Sequence, residues 1–167
     1  MKPICVYSAP SVGSTPLTAD LSSKHNIPNC GEVFDNPEFD LNVNIDKMFQ
    51  NKEIFVWALK PHQIKKSNSI LINQCLESSI IIGISRRNVV QQIVSFYLKM
   101  KNVRLIRATR LIQRYNLMIE QFQHFDQKFI YEDYAYTDTC GIIPSVKPDN
   151  YQSLCKEVST LLGETNV

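Results

Sequence analysis

Short unbroken apolar runs alternate along this chain with stretches where apolar residues recur every three or four positions. The first pattern marks buried strands and the second marks amphipathic helices. Ile4, Cys5, Val6 and Tyr7 predict a strand, followed by a loop over residues 8–15. A short helix is expected next. Pro16 falls in its first turn, where proline is tolerated, and Leu17 and Leu21 point inward. Residues 26–46 are rich in Asn, Pro and Asp and read as a long loop, with one helical turn near 45–49. A second strand is expected over 53–59, closed by Lys60 and Pro61, and a weak helix over 64–76.

The run Ile80, Ile81, Ile82, Gly83, Ile84 predicts a third strand, which ends at Arg86 and Arg87. The helix after it places Val90, Ile93, Val94, Tyr97 and Leu98 on one face. Another amphipathic helix is expected over 109–125, with Leu111, Tyr115, Met118, Phe122 and Phe125 inward. A strand over 128–131 and a helix over 151–162, stopped by Gly163, complete the pattern. Strands that alternate with helices predict a single α/β domain over 1–167, three-layered, with a central parallel sheet covered on both faces.

Composition narrows the function classes. The chain has 167 residues, long enough to bury a core in one domain. It is 44% hydrophobic and 20% charged, which is ordinary for a soluble globular protein. No run reaches transmembrane length, and residues 1–7 lack the apolar length of a signal peptide. The five cysteines form no CxxC pair, so neither a disulfide framework nor a metal site is expected, and a cytoplasmic protein with reduced thiols is the default.

A net charge of +2 does not by itself imply nucleic-acid binding, but its distribution is uneven. No acidic residue occurs from Ser78 to Ile119. That stretch holds Arg86, Arg87, Lys99, Lys101, Arg104, Arg107, Arg110 and Arg114. One face should therefore be positive and steer an anion inward. The block from Lys99 to Arg114 reads by default as the solvated face of two helices. It lacks the interleaved aromatics of a nucleic-acid surface.

Two segments have the chemistry of an anion site. Arg86 and Arg87 lie where a strand hands over to a helix N-terminus, the edge where open α/β sheets bind ligands. Guanidinium forks beside free N–H groups and a positive dipole end suit a phosphate or sulfate. The first loop has the same strand–loop–helix context and ends in Gly13, Ser14, Thr15. Glycine lets the backbone approach a phosphate closely. The loop lacks the lysine of a Walker A sequence, which disfavours a nucleoside-triphosphate hydrolase or kinase. An ordinary junction capped by serine or threonine reads about equally well from this segment alone.

Together the segments resemble the signatures of sulfotransferases that use 3′-phosphoadenylyl sulfate (PAPS), closest to the bacterial branch that includes trehalose sulfotransferase. That branch reads roughly P-R-S-G-S-T in its first loop, matched by Pro10, Ser11, Val12, Gly13, Ser14, Thr15. Its second signature reads roughly R-R-D-x-x-x-Q-A-V-S, matched from Arg86 to Ser95. Asn29 to Phe34 is similar to its A-G-E-P segment, and Phe129 to Tyr134 to its V-x-Y-E-D-L strand end. The resemblance implies that residues 11–15 hold the 5′-phosphosulfate. It also implies that Arg87 and Ser95, with Arg86 close by, hold the 3′-phosphate.

The same resemblance puts Glu32 beside the acceptor as general base, since sulfuryl transfer to an alcohol requires removal of a proton. A solvated loop glutamate is the plain alternative. Glu38 and His62 are lesser candidates, and Glu132 and Asp133 are expected to cap or orient loops. The family carries a basic residue where this chain has Ser11. Lys60 or an arginine of the 104–114 block are the candidates to replace that charge.

The expected function is transfer of a sulfuryl group from PAPS to a hydroxyl of a carbohydrate or small metabolite. Adenosine 3′,5′-bisphosphate would be released, with no metal and no membrane partner. Two other readings stand beside it: a catalytically degenerate binder of a nucleotide or sulfated ligand, and a basic nucleic-acid-binding module.

Overall fold

The computed structural model describes residues 2–34, 54–100, 102–134 and 148–163. Four strands form one sheet: β1 (Ile4–Ser8), β2 (Val56–Leu59), β3 (Ile80–Ser85) and β4 (Gln127–Ile130). Their order is β2-β1-β3-β4 and every pairing is parallel. Helices flank the sheet: α1 (Ser14–His25), α2 (Ser69–Glu77), α3 (Val89–Lys99), α4 (Leu105–Gln121), the single turn α5 (Tyr131–Tyr134), and α6 (Tyr151–Leu162). A 3-10 turn, Pro61–Gln63, follows β2.

The central strands are apolar because both their faces are covered. β1 and β2 are buried along their whole length. One apolar cluster joins β1, β2 and β3 to Leu17 and Leu21 of α1 and to Ile72, Cys75 and Leu76 of α2. A second is formed between helices by Val90, Ile93 and Val94 of α3, Ala108 and Ile112 of α4, and Leu154 and Val158 of α6. The edge strand β4 is mostly exposed.

Several expected boundaries shift. The second strand starts at Val56, with Ile54 and Phe55 in irregular backbone; Glu53, expected to open it, lies outside the described residues, as do Glu38, Lys101 and the turn expected at 45–49. The weak helix begins at Ser69 rather than at residue 64, because Pro61–Gln63 forms its own turn.

In α3, Phe96 is buried and Leu98 exposed, which moves the inward face off the expected stripe. α4 starts at Leu105 and ends at Gln121. Its inward stripe is therefore Leu105, Ala108, Thr109, Ile112 and Ile119, while Phe122 and Phe125 pack on Tyr7 from beyond the helix end. β4 ends one residue early, since β3 stops at Ser85, opposite Ile130, and leaves Tyr131 no strand to pair with. The last helix keeps its expected bounds, and Gly163 caps it at φ 77°.

Arg107, Arg110 and Arg114 lie exposed on α4, on the side away from its buried stripe, and Arg104 is exposed at its N-cap. They take no part in the site described below. No helix among the described residues is long and apolar enough to cross a membrane.

Candidate functional site

A parallel sheet delivers all its strand ends to one edge, and register decides which residues meet there. Tyr7 pairs with Leu59 and Ser8 with Ile84, so Lys60 follows beside Ser8, and Arg86 lies beyond Ser85 on the other side of β1. β1 sits between β2 and β3, where successive connections leave in opposite directions. This is the point at which such sheets bind ligands.

Lys60 is the charge nearest the first loop. Its side chain is 4% exposed, and Nζ donates to Ser8 Oγ at 2.7 Å and to Ser14 Oγ at the start of α1. Of the two candidates for replacing the charge absent at Ser11, the structure brings Lys60 to the loop and leaves the arginine block in solvent. Lys60 Nζ also stands 3.9 Å from Glu32 Oε1.

Glu32 arrives by a short extended segment that follows β2. Cys30 N donates to Val56 O, and Ala58 N donates to Gly31 O, each at 2.8 Å. Gly31 then turns the chain at φ 62°, its N–H bonded to Asn29 Oδ1 at 3.0 Å. Buried Gln63 ties the two charged residues together. Its Nε2 donates to Glu32 Oε2 at 3.2 Å and its Oε1 accepts from Lys60 N at 2.7 Å. The Glu32 side chain is 36% exposed, so a ligand arriving from solvent can reach it. His62 stacks on Tyr115, with ring centroids 5.7 Å apart.

The first loop turns sharply. Ser11 has φ 59° and Gly13 has φ 84°, both left-handed. Val12 and Ser14 are buried, and Thr15 is exposed with its carbonyl accepting from Thr18 Oγ1 at 2.8 Å. The Tyr131 ring lies directly over Gly13. A Cβ there would strike its Cδ2, and would stand 2.6 Å from Cε2. Gly13→Ala should therefore lower stability by about 1–2 kcal/mol from the left-handed backbone alone, plus the cost of displacing the ring. Thermal unfolding checks this; a melting temperature equal to wild type would mean that the loop relaxes freely.

The arginine pair divides its work. Arg86 turns into the site. Its Nη1 lies 3.4 Å from Ser11 O and 3.5 Å from Ser95 Oγ, and Nη2 donates to Gln91 Oε1 at 3.0 Å. Its guanidinium sits 4.8 Å above the Tyr131 ring. Arg87 turns outward, 62% exposed, with Nη2 3.0 Å from both carboxylate oxygens of Asp133. Arg86, rather than Arg87, is thus the arginine beside Ser95. Arg86 Nε is buried without a hydrogen-bond partner among the described residues, although Glu132 Oε1 stands 3.8 Å away. An oxygen of a bound phosphate is the kind of acceptor that atom lacks.

Glu132 occupies the turn before α3. Its two oxygens accept from Arg87 N and Asn88 N at 2.9 Å each, a use of a strand-end carboxylate that sequence spacing does not reveal. Burial alone would raise this carboxyl. The backbone N–H groups and Arg86 outweigh it and hold the group below its ordinary value. A depressed value in the folded state means that the stabilisation is full above the ordinary glutamate range and fades as pH falls through the depressed value. Glu132→Gln should lower stability at pH 7 by about 1–3 kcal/mol. Denaturant midpoints from pH 7 to pH 3 should then converge with wild type; a gap that persists in acid would refute the charged role.

Among the described residues, no group of three His, Cys, Asp or Glu stands close enough to hold a metal ion. Lys60 and Gln63 carry more of the site than the motifs suggested. The signal for Lys60 was its position at a strand end on the binding edge. Gln63, three residues further, gave none.

No protein-family model matches the chain, and no curated protein matches it in sequence. Solved structures do. A sugar kinase from Janibacter sp. is similar at 10% identity and TM-score 0.51, over 99% of this chain and 96% of that one. An uncharacterized protein from Eubacterium ventriosum is similar at 15% identity and TM-score 0.46, over 78% of this chain and 89% of that one. A mouse sulfotransferase complexed with PAP is similar at 13% identity and TM-score 0.45, over 99% of this chain and 67% of that one. At these identities the likeness concerns the α/β fold alone.

Proposed function

We propose that the protein is a sulfotransferase that moves a sulfuryl group from PAPS to a hydroxyl of a carbohydrate or small metabolite. The observation that carries this reading is the buried Lys60 ammonium, set on the Ser8 and Ser14 hydroxyls at the first loop and 3.9 Å from a solvent-reachable carboxylate, Glu32. Sulfuryl transfer needs that combination. Negative charge grows on the departing 5′-phosphate as its bond to sulfur breaks, and the acceptor oxygen loses its proton as the new bond forms. Lys60 and the loop N–H groups would stabilise the first change, and Glu32 would take the proton. At the other end, Arg86 and Ser95 would hold the 3′-phosphate, with the bare Arg86 Nε as a further donor. As in phosphoryl transfer, such a site works mainly by positioning and by neutralising charge. The resemblance of residues 10–15 and 86–95 to the family signatures supports the same assignment.

Titration calorimetry with adenosine 3′,5′-bisphosphate, followed by transfer from labelled PAPS to a panel of hydroxyl acceptors, tests it. One-to-one binding with label transfer is the expected result. Binding without transfer to any acceptor would replace the enzyme by a non-catalytic binder. No binding would sink both, and salt-dependent retention of oligonucleotides that the bisphosphate does not compete away would then favour the basic module.

A further inference from the structure

The first loop is tied to the 86–95 segment by a buried amide pair. Gln92, on α3, is fully buried. Its Nε2 donates to Pro10 O at 3.0 Å and to Asn116 Oδ1 of α4 at 3.1 Å, and its Oε1 accepts from Asn116 Nδ2 at 3.0 Å. The orientation is fixed by chemistry, since a proline carbonyl can only accept and the NH2 end must face it. One residue further along the loop, the carbonyl of Ser11 lies 3.4 Å from Arg86 Nη1. Gln92 of α3 and Arg86, just before that helix, therefore hold consecutive carbonyls of the first loop.

Those carbonyls flank the loop's strained point. Ser11 is a non-glycine residue at φ 59°. Such a conformation persists only where surroundings over-determine it. Gln92 supplies that constraint from a buried position with every hydrogen-bonding group of its amide engaged. A buried polar side chain costs stability unless it is satisfied, and Asn116 is what satisfies it.

We propose that Gln92 is a positioning residue. Braced by Asn116, it fixes the loop of residues 10–13 relative to Arg86 and Ser95, and so sets the span between the two anion-binding ends. The inference rests on the two-ended ligand proposed above. It predicts selectivity by reach: a ligand with a phosphate at both ends depends on the lock, and a ligand held at the Arg86 end alone does not.

Gln92→Met removes the tie to Pro10 together with both bonds to Asn116 and keeps the volume; Asn116→Ala removes the bonds to Asn116 alone and keeps the tie. By calorimetry, Gln92→Met should bind adenosine 3′,5′-bisphosphate about tenfold or more weakly, with adenosine 3′-monophosphate within about threefold of wild type. Asn116→Ala should leave both ligands within about threefold. In hydrogen exchange of the free protein, the Leu17 amide, which donates to Gly13 O of the loop, should exchange about tenfold faster in Gln92→Met and little faster in Asn116→Ala, with β3 unchanged in both.

A purely structural amide pair between helices would instead weaken both nucleotides alike and lower the melting temperatures of both variants alike. That result, or unchanged exchange at the Leu17 amide in Gln92→Met, overturns the proposal. If wild type binds neither nucleotide, the proposed function fails and the exchange experiment still decides the lock. Should Gln92→Met not fold, the double variant Gln92→Met/Asn116→Leu, which leaves no amide of the pair unpartnered, carries the same comparison.

Discussion

Replacing Lys60 with methionine should reduce transfer from PAPS by about 100- to 1,000-fold in kcat, the usual cost of removing one preorganised donor from a developing anion. Methionine keeps much of the length and apolar stem and removes only the ammonium. The fold should survive, because the carboxylate left behind, Glu32, is 36% exposed and can be hydrated. The fall in kcat should exceed the fall in affinity for adenosine 3′,5′-bisphosphate, since the ammonium matters most while the bond to sulfur is breaking. Single-turnover transfer with near-UV circular dichroism as a check on folding measures this. A folded Lys60→Met variant with full activity would remove the lysine from the chemistry, and with it the explanation of how the chain works with serine at position 11.

Arg86→Met should weaken adenosine 3′,5′-bisphosphate binding by about 10- to 100-fold, whereas Arg87→Met should change it by no more than about threefold. The first figure is the loss of charge-assisted hydrogen bonds at a partly buried guanidinium. The second follows from the exposed pairing of Arg87 with Asp133, of a kind that contributes little in water. Paired titrations of the two variants decide the question through their ranking. A larger loss in Arg87→Met would restore the assignment that the family resemblance implies, Arg87 with Ser95. It would then mean that the exposed arginine swings inward when ligand binds.

The two arginines show where sequence reading stops. Both sit at the end of an apolar run and before an amphipathic helix, and the eight-residue step from Arg87 to Ser95 matches the family signature. Spacing along a chain cannot say which of two adjacent side chains turns inward. Here the sorting is done by partners distant in sequence: Asp133 draws Arg87 outward, while Tyr131, Glu132 and the Ser11 carbonyl surround Arg86. The same limit applies to Glu132. The family resemblance implied a capping or orienting role, but its target, the N–H groups of Arg87 and Asn88, depends on β4 pairing with β3.

α4 starts and ends four residues earlier than its apolar spacing predicts, and at its C-terminal end the flank looks helical. Phe122 and Phe125 continue the apolar spacing of the helix. They pack on Tyr7 in irregular backbone instead, and Phe125 fills the space left open by Gly83. Contact with the sheet outweighs local periodicity there, as tertiary packing often does.

The sequence by itself determined the alternation of strands and helices, the parallel sheet, the sharp loop at Gly13, the stop at Gly163 and the placing of two anion-suited loops at strand ends. These follow from local rules: apolar period, the freedom of glycine at positive φ, and the fact that parallel strands end at one edge. Only the tertiary structure decided which charges meet. Sheet register set Lys60 beside Ser8. The short extended segment along β2 brought Glu32 to Lys60 and Gln63. The packing of α3 against α4 placed Gln92 under Pro10. Each of these contacts joins residues far apart in the chain, and its energy depends on burial and on partners that exist only once the sheet has formed.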